Sequence, residues 1–320
     1  LFYTQYRGEE AQRFMNQMAY DAMTIGNHEF DDGPGTLGSF IRGTNFPMSA
    51  ANVDVTREPE LAGQVKPYVV LTVGGEKIGI VGYTTEDIDI LSSPGPNVTI
   101  NAIEPAVTAA ITELEAQGVN KIVALSHAGY GRDKEVAAAV KGIDVIVGGH
   151  THTYLSSTDA SAAGPYPTVV NSPAGAPVLI VTVGEWGKYL GRLDVTFDAN
   201  GVATTWGGDP ILLDASVAED ADTLAAVTAM NAPIDALRNQ IIGKATVNLN
   251  GDRATCRFEE CNMGNLITDA MIWATAAEGT QIAVENGGGI RASIAAGDVS
   301  LGDVIEVLPF GNTLATFQLK

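Results

Sequence analysis

The sequence predicts an α/β chain (α+β overall) made of two domains, and three observations support this prediction. Its 320 residues correspond to about two domains of about 100–200 residues each. Hydrophobic residues make up 45% of the chain and charged residues 18%, which is typical of a globular protein. In the first half, short apolar strands alternate with helical patterns, as they do in α/β domains.

The elements of the first half follow one another in a regular order. Helical spacing over 9–20 leads into an apolar strand at 22–26. The turn residues 74–76 predict a hairpin between strands at 69–73 and 77–81. The remaining predicted elements are a helix at 102–117, a strand at 121–125, a helix at 134–140 and strands at 144–147, 177–183 and 190–197. Functional loops of such domains lie at the carboxyl ends of the strands, so residues there are the candidates for a site.

The second half begins with a long helical stretch, 218–242, which we interpret as a linker. A second α+β unit is expected from Lys244 onward, with a strand at 245–249, a helix at 265–276 and a strand at 281–284. Residues 313–319 also alternate like a strand. Because the chain starts without methionine and stops without a turn, we interpret it as an internal piece of a longer protein, its signal peptide not included.

The charge balance argues against a nucleic-acid-coating protein, and the length of the apolar runs argues against a transmembrane segment. With 18 basic and 38 acidic residues the net charge is −20, which disfavours a protein that coats a nucleic acid polymer. Any phosphate would have to be bound where metals or a few arginines reverse the local field. The longest apolar runs, such as 78–81, are far shorter than the ~18 residues of a transmembrane segment, so this piece is predicted to contain none.

The histidines indicate a metal site. All four follow apolar strands at positions flanked by glycine: His28, His127, His150 and His152. Asn27 and Asp31 beside His28 offer an oxygen ligand and an orienting carboxylate, although these residues could also form a simple turn. His150 and His152 are predicted to point the same way, since alternate side chains of an extended segment share a face. Imidazoles gathered at one sheet edge would bind a divalent metal.

These motifs also resemble those of a known family. The first half resembles the calcineurin-like metallophosphoesterase fold in its 5′-nucleotidase branch, through three motifs: Gly26-Asn27-His28-Glu29-Phe30-Asp31, Ser126-His127-Ala128-Gly129 and Gly148-Gly149-His150-Thr151-His152. The second half resembles the ecto-5′-nucleotidase pattern in three further motifs: Cys256 to Leu266, Asn286-Gly287-Gly288-Gly289-Ile290-Arg291 and Leu308-Pro309-Phe310-Gly311.

The resemblance implies an architecture. A metallophosphoesterase β-sandwich flanked by helices would occupy 1–213, without its N-terminal strand. A linker helix would follow at 214–243, and 244–320 would be the incomplete start of the substrate-binding C-terminal domain. The family's first-strand Asp-x-His motif and bridging aspartate would lie before this piece, and a second base-stacking aromatic would lie after it.

The resemblance also implies roles for individual residues. Asn27, His127 and His150 would ligate one metal and His152 the other, while His28 would be the catalytic histidine oriented by Asp31. Five residues would bind the substrate. Arg257 and Arg291 would bind the phosphate, and Asn286 and Phe310 would contact the nucleobase. Gly288 would belong to a loop in which absent side chains let a ligand approach the backbone. The cofactors would be two divalent ions, with zinc expected and manganese or cobalt as alternatives.

Cys256 and Cys261 leave two interpretations open. The residues are compatible with two free buried cysteines, whereas the resemblance implies a disulfide that stiffens the loop of Arg257. A disulfide would indicate an oxidising compartment, so we expect a secreted, periplasmic or cell-surface protein.

The activity implied by the resemblance is that of a two-metal 5′-nucleotidase, which releases phosphate from nucleoside 5′-monophosphates through a hydroxide that bridges the metals. Alternatives on the same scaffold are a UDP-sugar diphosphatase, a 2′,3′-cyclic nucleotide phosphodiesterase and a sulfur-ester hydrolase. A binding protein that has lost the chemistry is a further alternative. The expected partners are a nucleotide substrate and a second copy of the chain, joined through the C-terminal domain.

Overall fold

A six-stranded sheet dominates the computed structural model, which describes residues 2–319. Its strands are β5 (Tyr68–Val73), β6 (Glu76–Thr84), β8 (Ile122–His127), β9 (Val145–Val147), β10 (Thr168–Asn171) and β11 (Pro177–Val181). They lie in the order β10-β11-β9-β8-β6-β5. The four central strands are mutually parallel, and the antiparallel pair β5–β6 confirms the predicted hairpin.

The remaining strands form smaller sheets. They are β1 (Met23–Thr24), β2 (Met48–Ser49), β3 (Val53–Asp54), β4 (Val65–Lys66), β7 (Thr99–Ile100), β12 (Tyr189–Gly191), β13 (Asp194–Phe197), β14 (Ala203–Gly207), β15 (Pro210–Leu212), β16 (Ile241–Ala245) and β17 (Gly297–Ser300). Strands β1, β2 and β4 form a parallel three-stranded sheet, and the others pair as β3–β7, β12–β15, β13–β14 and β16–β17. The predicted strand 190–197 is thus divided between β12 and β13.

The described residues also form ten α-helices. They are α1 (Phe2–Tyr6), α2 (Glu9–Gln17), α3 (Gly33–Gly43), α4 (Ile88–Leu91), α5 (Ile103–Ala116), α6 (Tyr130–Ala139), α7 (Ala221–Arg238), α8 (Arg253–Cys256), α9 (Asn262–Ala274) and α10 (Leu301–Val307). Short 3-10 turns occupy His28–Phe30 and Ala276–Glu278. Helix α5 matches the helix predicted at 102–117, and it buries Ile103, Val107, Ile111 and Leu114 against the main sheet.

The small parallel sheet meets the main sheet at Gly82 on β6. A Cβ at this position would lie 1.8 Å from the Ser49 carbonyl oxygen, so no side chain fits there. The absence of a side chain allows Gly82 N–H to donate to Ser49 Oγ at 2.8 Å, and Ala51 N–H to donate to the Gly82 carbonyl at 2.7 Å. This close approach brings β1, and the residues that follow it, beside β6 and β8.

The chain divides into two compact units, one of residues 11–218 and one that combines 1–10 with 219–320. Within the second unit, the Tyr6 hydroxyl donates to the Met230 carbonyl of α7 at 2.5 Å. The predicted boundaries at 213 and 243 themselves stay a prediction.

The helix expected over 218–242 is confirmed as α7, Ala221–Arg238, and the helix expected at 265–276 as α9, Asn262–Ala274. The strands expected in this half are wrong: the one at 245–249 lies earlier, as β16, where it pairs with β17. Residues 281–284 and 313–319 form no strand within the described part of the chain. Ile282 and Val284 are 76% and 84% exposed, so the apolar side chains of 281–284 are not buried against the rest of the unit. An apolar alternation becomes a strand only where a neighbouring strand supplies hydrogen bonds.

Within residues 2–319, no helix has both the length and the apolar character needed to cross a membrane.

Candidate metal centre

Three strand ends bring the predicted ligands together. His127 is the last residue of β8, Asn27 lies three residues beyond β1, and His150 lies three residues beyond β9. Strands β8 and β9 are parallel, with Leu125 opposite Val147, so their carboxyl ends share one edge of the sheet. The expectation of a common edge is met for His127 and His150, whereas Asn27 follows β1 of the small parallel sheet, which lies beside β6 and β8.

Asn27, His127 and His150 lie in mutual contact. The Asn27 Oδ1 atom is 3.0 Å from His127 Nε2 and 3.2 Å from His150 Nδ1. The two imidazole rings stand edge to face, with centroids 5.0 Å apart. Asn27 is only 4% exposed, so the strand ends hold its amide in place. One oxygen and two nitrogens thus converge on a small volume.

Glycines make room for this convergence. A Cβ at Gly26 would lie 2.8 Å from the His127 ring, and one at Gly149 would lie 3.3 Å from His127 Nδ1. Any side chain at position 26 would therefore displace the His127 imidazole. The glycines that flank the histidines in the sequence are packing requirements of the site as well as turn residues.

Burial keeps His127 neutral. The pKa of His127 is lowered to about 4, mainly by burial and then by the nearby His150, His28 and His152. A neutral imidazole has the lone pair that a metal requires, so His127 is available as a ligand at neutral pH without losing a proton first.

The donor set fits a divalent ion. Donors that bind one ion at about 2.0–2.2 Å lie about 3.0–3.5 Å from one another, and the Asn27–His127 and Asn27–His150 spacings fall in this range. Within residues 2–319, no group of three or more His, Cys, Asp or Glu side chains could hold a metal ion, so the candidate set described here includes an amide oxygen.

His28 and Asp31 form a pair beside this centre. His28 Nδ1 lies 2.8 Å from Asp31 Oδ2, and the His28 side chain is 49% exposed. The other carboxylate oxygen, Asp31 Oδ1, accepts a hydrogen bond from Ser92 Oγ at 2.9 Å. Ser92 follows α4 and was not identified from the sequence, because nothing local to it indicates that it reaches a residue 61 positions away.

Glu29 was also missed. Its half-buried side chain accepts the Gly26 N–H at 2.7 Å through a carboxylate oxygen, and desolvation raises the pKa of Glu29. This hydrogen bond stabilises the backbone of the turn that carries Asn27 and His28.

Residues 150–152 are not extended, so the alternation expected to place His150 and His152 on one side does not apply to them. Both residues have left-handed backbone angles, with φ of 71° and 55°. His150 faces Asn27, whereas His152 Nδ1 is paired with the carboxylate of Glu185. The alternation rule holds for a strand, and β9 ends at Val147. Glu185 was missed because it lies 33 residues beyond His152.

The substrate-binding candidates gather within the C-terminal unit. Arg291 Nη1 donates to the Gly288 carbonyl at 3.2 Å, and its guanidinium carbon lies 5.6 Å from the Phe310 ring centroid. Gly288 N–H donates to Asn286 Oδ1 at 3.0 Å. Gly287 lies against the loop of Arg257, since a Cβ there would be 2.4 Å from the Cys256 carbonyl oxygen. Asn286 and Arg257 are exposed.

Cys256 and Cys261 form a disulfide, as the resemblance implied, with their Cα atoms 5.3 Å apart. The bond encloses Arg257 and joins the end of α8 to the N-cap of α9. The alternative of two free cysteines is therefore excluded.

Comparison with known proteins agrees with this arrangement. Residues 3–154 match the calcineurin-like phosphoesterase family, and residues 241–320 match the 5′-nucleotidase C-terminal domain. Over its full length the chain is 40% identical to snake venom 5′-nucleotidase from Gloydius brevicauda and 41% identical to 5′-nucleotidase from Rattus norvegicus. It covers 58% of each of these proteins.

Among solved structures, the chain is similar to a 5′-nucleotidase precursor from Thermus thermophilus, with 50% identity and a TM-score of 0.92. That similarity covers 98% of this chain and 62% of the Thermus chain. The chain thus spans about three fifths of the length of these relatives.

Proposed function

Because the chain belongs to the 5′-nucleotidase family, with a calcineurin-like phosphoesterase domain and a 5′-nucleotidase C-terminal domain, we propose that the protein releases phosphate from nucleoside 5′-monophosphates. The observation that carries this proposal is the convergence of Asn27, His127 and His150 at the strand ends. Membership of the calcineurin-like phosphoesterase family implies divalent metal ions.

Asn27, His127 and His150 would hold one ion, and His152 would contribute to a second. When bound, the ions supply Lewis-acid stabilisation of the phosphate oxygens and lower the pKa of the attacking water. Zinc suits the imidazole nitrogens and amide oxygen, and manganese or cobalt could bind the same donors.

His28 acts on the phosphate itself in this proposal. Its Nδ1–H donates to Asp31 at 2.8 Å, which supports an orientation in which Nε2 would face the substrate. A positively charged His28 ring would stabilise the charge that develops on the transferring phosphoryl group. Ser92 donates to the other oxygen of the Asp31 carboxylate, which supports the position of the carboxylate that contacts His28.

The C-terminal unit would bind the substrate. Arg257 and Arg291 present planar guanidinium groups that match phosphate oxygens in pairs. Asn286 and Phe310 are proposed to contact the nucleobase, and Gly288 keeps the loop open to it. The contacts among Asn286, Gly288, Arg291 and Phe310 support a common role for these residues.

The disulfide supports an oxidising compartment, so we place the protein outside the cytoplasm, either secreted, periplasmic or at the cell surface. Relatives named as snake venom proteins agree with this placement. A homodimer through the C-terminal unit stays a prediction.

The test is hydrolysis by the purified full-length protein of AMP, UDP-glucose and a 2′,3′-cyclic nucleotide, followed by phosphate release. We expect AMP to be the best substrate, chelation to abolish the activity and added zinc, manganese or cobalt to restore it. Faster turnover of either other substrate would assign the protein to one of the alternative hydrolases. Metal binding without any hydrolysis would identify a binding protein instead.

A further inference from the structure

Glu185 and His152 are paired across two segments that are far apart in sequence. The Glu185 carboxylate contacts His152 Nδ1, and both side chains are mostly shielded, with 29% and 27% exposure. The pair lies at the edge of the metal centre but outside the Asn27–His127–His150 contacts.

Three further contacts hold the two segments in register. Tyr154 and Val183 form an antiparallel β-bridge, and Gly184 N–H donates to the Thr153 carbonyl at 3.0 Å. The rings of Tyr154 and Tyr189 stack with centroids 4.6 Å apart. Because these contacts flank the pair on both chain segments, the position of Glu185 opposite His152 is imposed by the fold.

The backbone around Glu185 is unusual in a way that supports a specific role. Trp186 has a left-handed φ of 62°, although it is neither glycine nor asparagine and is 83% exposed. Gly184 and Gly187 have positive φ as well, at 78° and 65°. A non-glycine residue in this conformation is strained, and such strain persists where the surrounding structure requires it. Trp186 is exposed, and the turn it forms follows directly on Glu185, whose carboxylate contacts His152.

We propose that Glu185 is a positioning residue that holds His152 by Nδ1, so that the ring binds its metal through Nε2. This inference rests on the proposed function, because it assumes that His152 is a metal ligand. A carboxylate on the outer nitrogen of a ligating histidine fixes the tautomer and ring orientation and makes the other nitrogen a better donor. Removal of such a partner typically weakens metal binding by about 10–100-fold.

The experiment is a metal titration of the metal-stripped full-length protein with Zn²⁺, against a competing chelator dye that reports free metal. The variants are Glu185→Gln, Glu185→Ala and His152→Ala. The matched control is Glu76→Gln, which removes another carboxylate of the same unit from a surface pair with Lys121 at 2.9 Å.

We expect His152→Ala to abolish one binding step and Glu185→Ala to weaken that same step by about 10–100-fold. Glu185→Gln should weaken it less, because its amide oxygen still accepts the Nδ1 hydrogen bond, and Glu76→Gln should bind like the parent protein. The double variant with His152→Ala and Glu185→Gln should be no weaker than His152→Ala, as expected for residues that act through one contact.

Parent-like Zn²⁺ affinity in both Glu185 variants would overturn the proposal. So would a larger loss in Glu185→Ala than in His152→Ala, because Glu185 would then bind the metal itself. These results are separable from the proposed function: the graded metal loss could hold in a protein that does not hydrolyse AMP, and AMP hydrolysis could occur with no metal loss in the Glu185 variants.

Discussion

The candidate metal centre and the Arg291 loop hold their side chains by different means. At the metal centre, Asn27 and His127 are fixed at strand ends, and Asn27 is nearly completely buried. In the Arg291 loop, which we define as residues 286–291, the backbone packs closely against the disulfide-closed segment 256–261, while Asn286 is exposed. The sheet edge therefore suits chemistry that needs fixed donors, and the glycine-rich loop suits contact with an incoming ligand.

This difference predicts that changes in the two regions have different kinetic effects. Substitutions at the metal centre should reduce metal content or kcat, whereas those in or beside the Arg291 loop should raise KM.

The largest effect is expected from His127→Ala. Loss of this ligand should remove the ion shared with Asn27 and His150 and almost all turnover. Metal analysis of the dialysed protein and AMP hydrolysis measure these two effects. A parent-like metal-to-protein ratio would show that His127 is not a ligand.

His28→Ala should lower kcat by about 10²–10⁴-fold with its metal content unchanged, because His28 acts as a proton-transfer or charge-stabilising group and not as a ligand. Steady-state kinetics together with metal analysis separate this variant from His127→Ala. Retained turnover would remove His28 from the proposed mechanism.

Arg291→Lys should raise KM for AMP by roughly 10-fold and change kcat little, because lysine lacks the planar fork that matches phosphate oxygens. The control is Arg192→Lys, at an exposed arginine that pairs with Asp194 at 2.9 Å. If kcat of Arg291→Lys fell by as large a factor as KM rose, the distinction between the two regions would not hold.

Reduction of the Cys256–Cys261 bond should raise KM several-fold while the melting temperature falls only slightly. So short a loop contributes only about 2 kcal/mol to stability, and its main effect is to hold Arg257 in place. Kinetics and thermal unfolding with and without reductant provide the measurement. An unchanged KM would count against a role for the disulfide in substrate binding.

The smallest expected effect is on the pH dependence of stability, and it comes from Asp144, which directly precedes β9 of the main sheet. Asp144 accepts the Ile122 N–H at 2.7 Å, and burial raises the pKa of Asp144 to about 7. The folded protein therefore keeps a proton that the unfolded chain releases between about pH 4 and about pH 7, so this group makes stability fall as pH rises through that window. Asp144→Asn should reduce the fall in unfolding free energy between about pH 5 and about pH 8, measured with urea. Asp194→Asn, at an exposed carboxylate, is the control, and an equal pH dependence in both variants would contradict the assignment.

Much of this protein follows from local pattern. The hairpin around residues 74–76, helix α5 and the placement of histidines after strands were all predicted, because periodicity and turn residues act over a few positions. The second half was predicted less well: 281–284 has the composition of a strand but no strand partner within the described residues.

Amino-acid order was enough to name the kinds of donor and the strand ends that carry them. It could not decide that His150 turns to Asn27 while His152 turns to Glu185, or that Ser92 reaches Asp31. Those choices depend on left-handed backbone angles and on partners tens of residues away, which are set by the packing of the whole domain and leave no periodic trace in the chain.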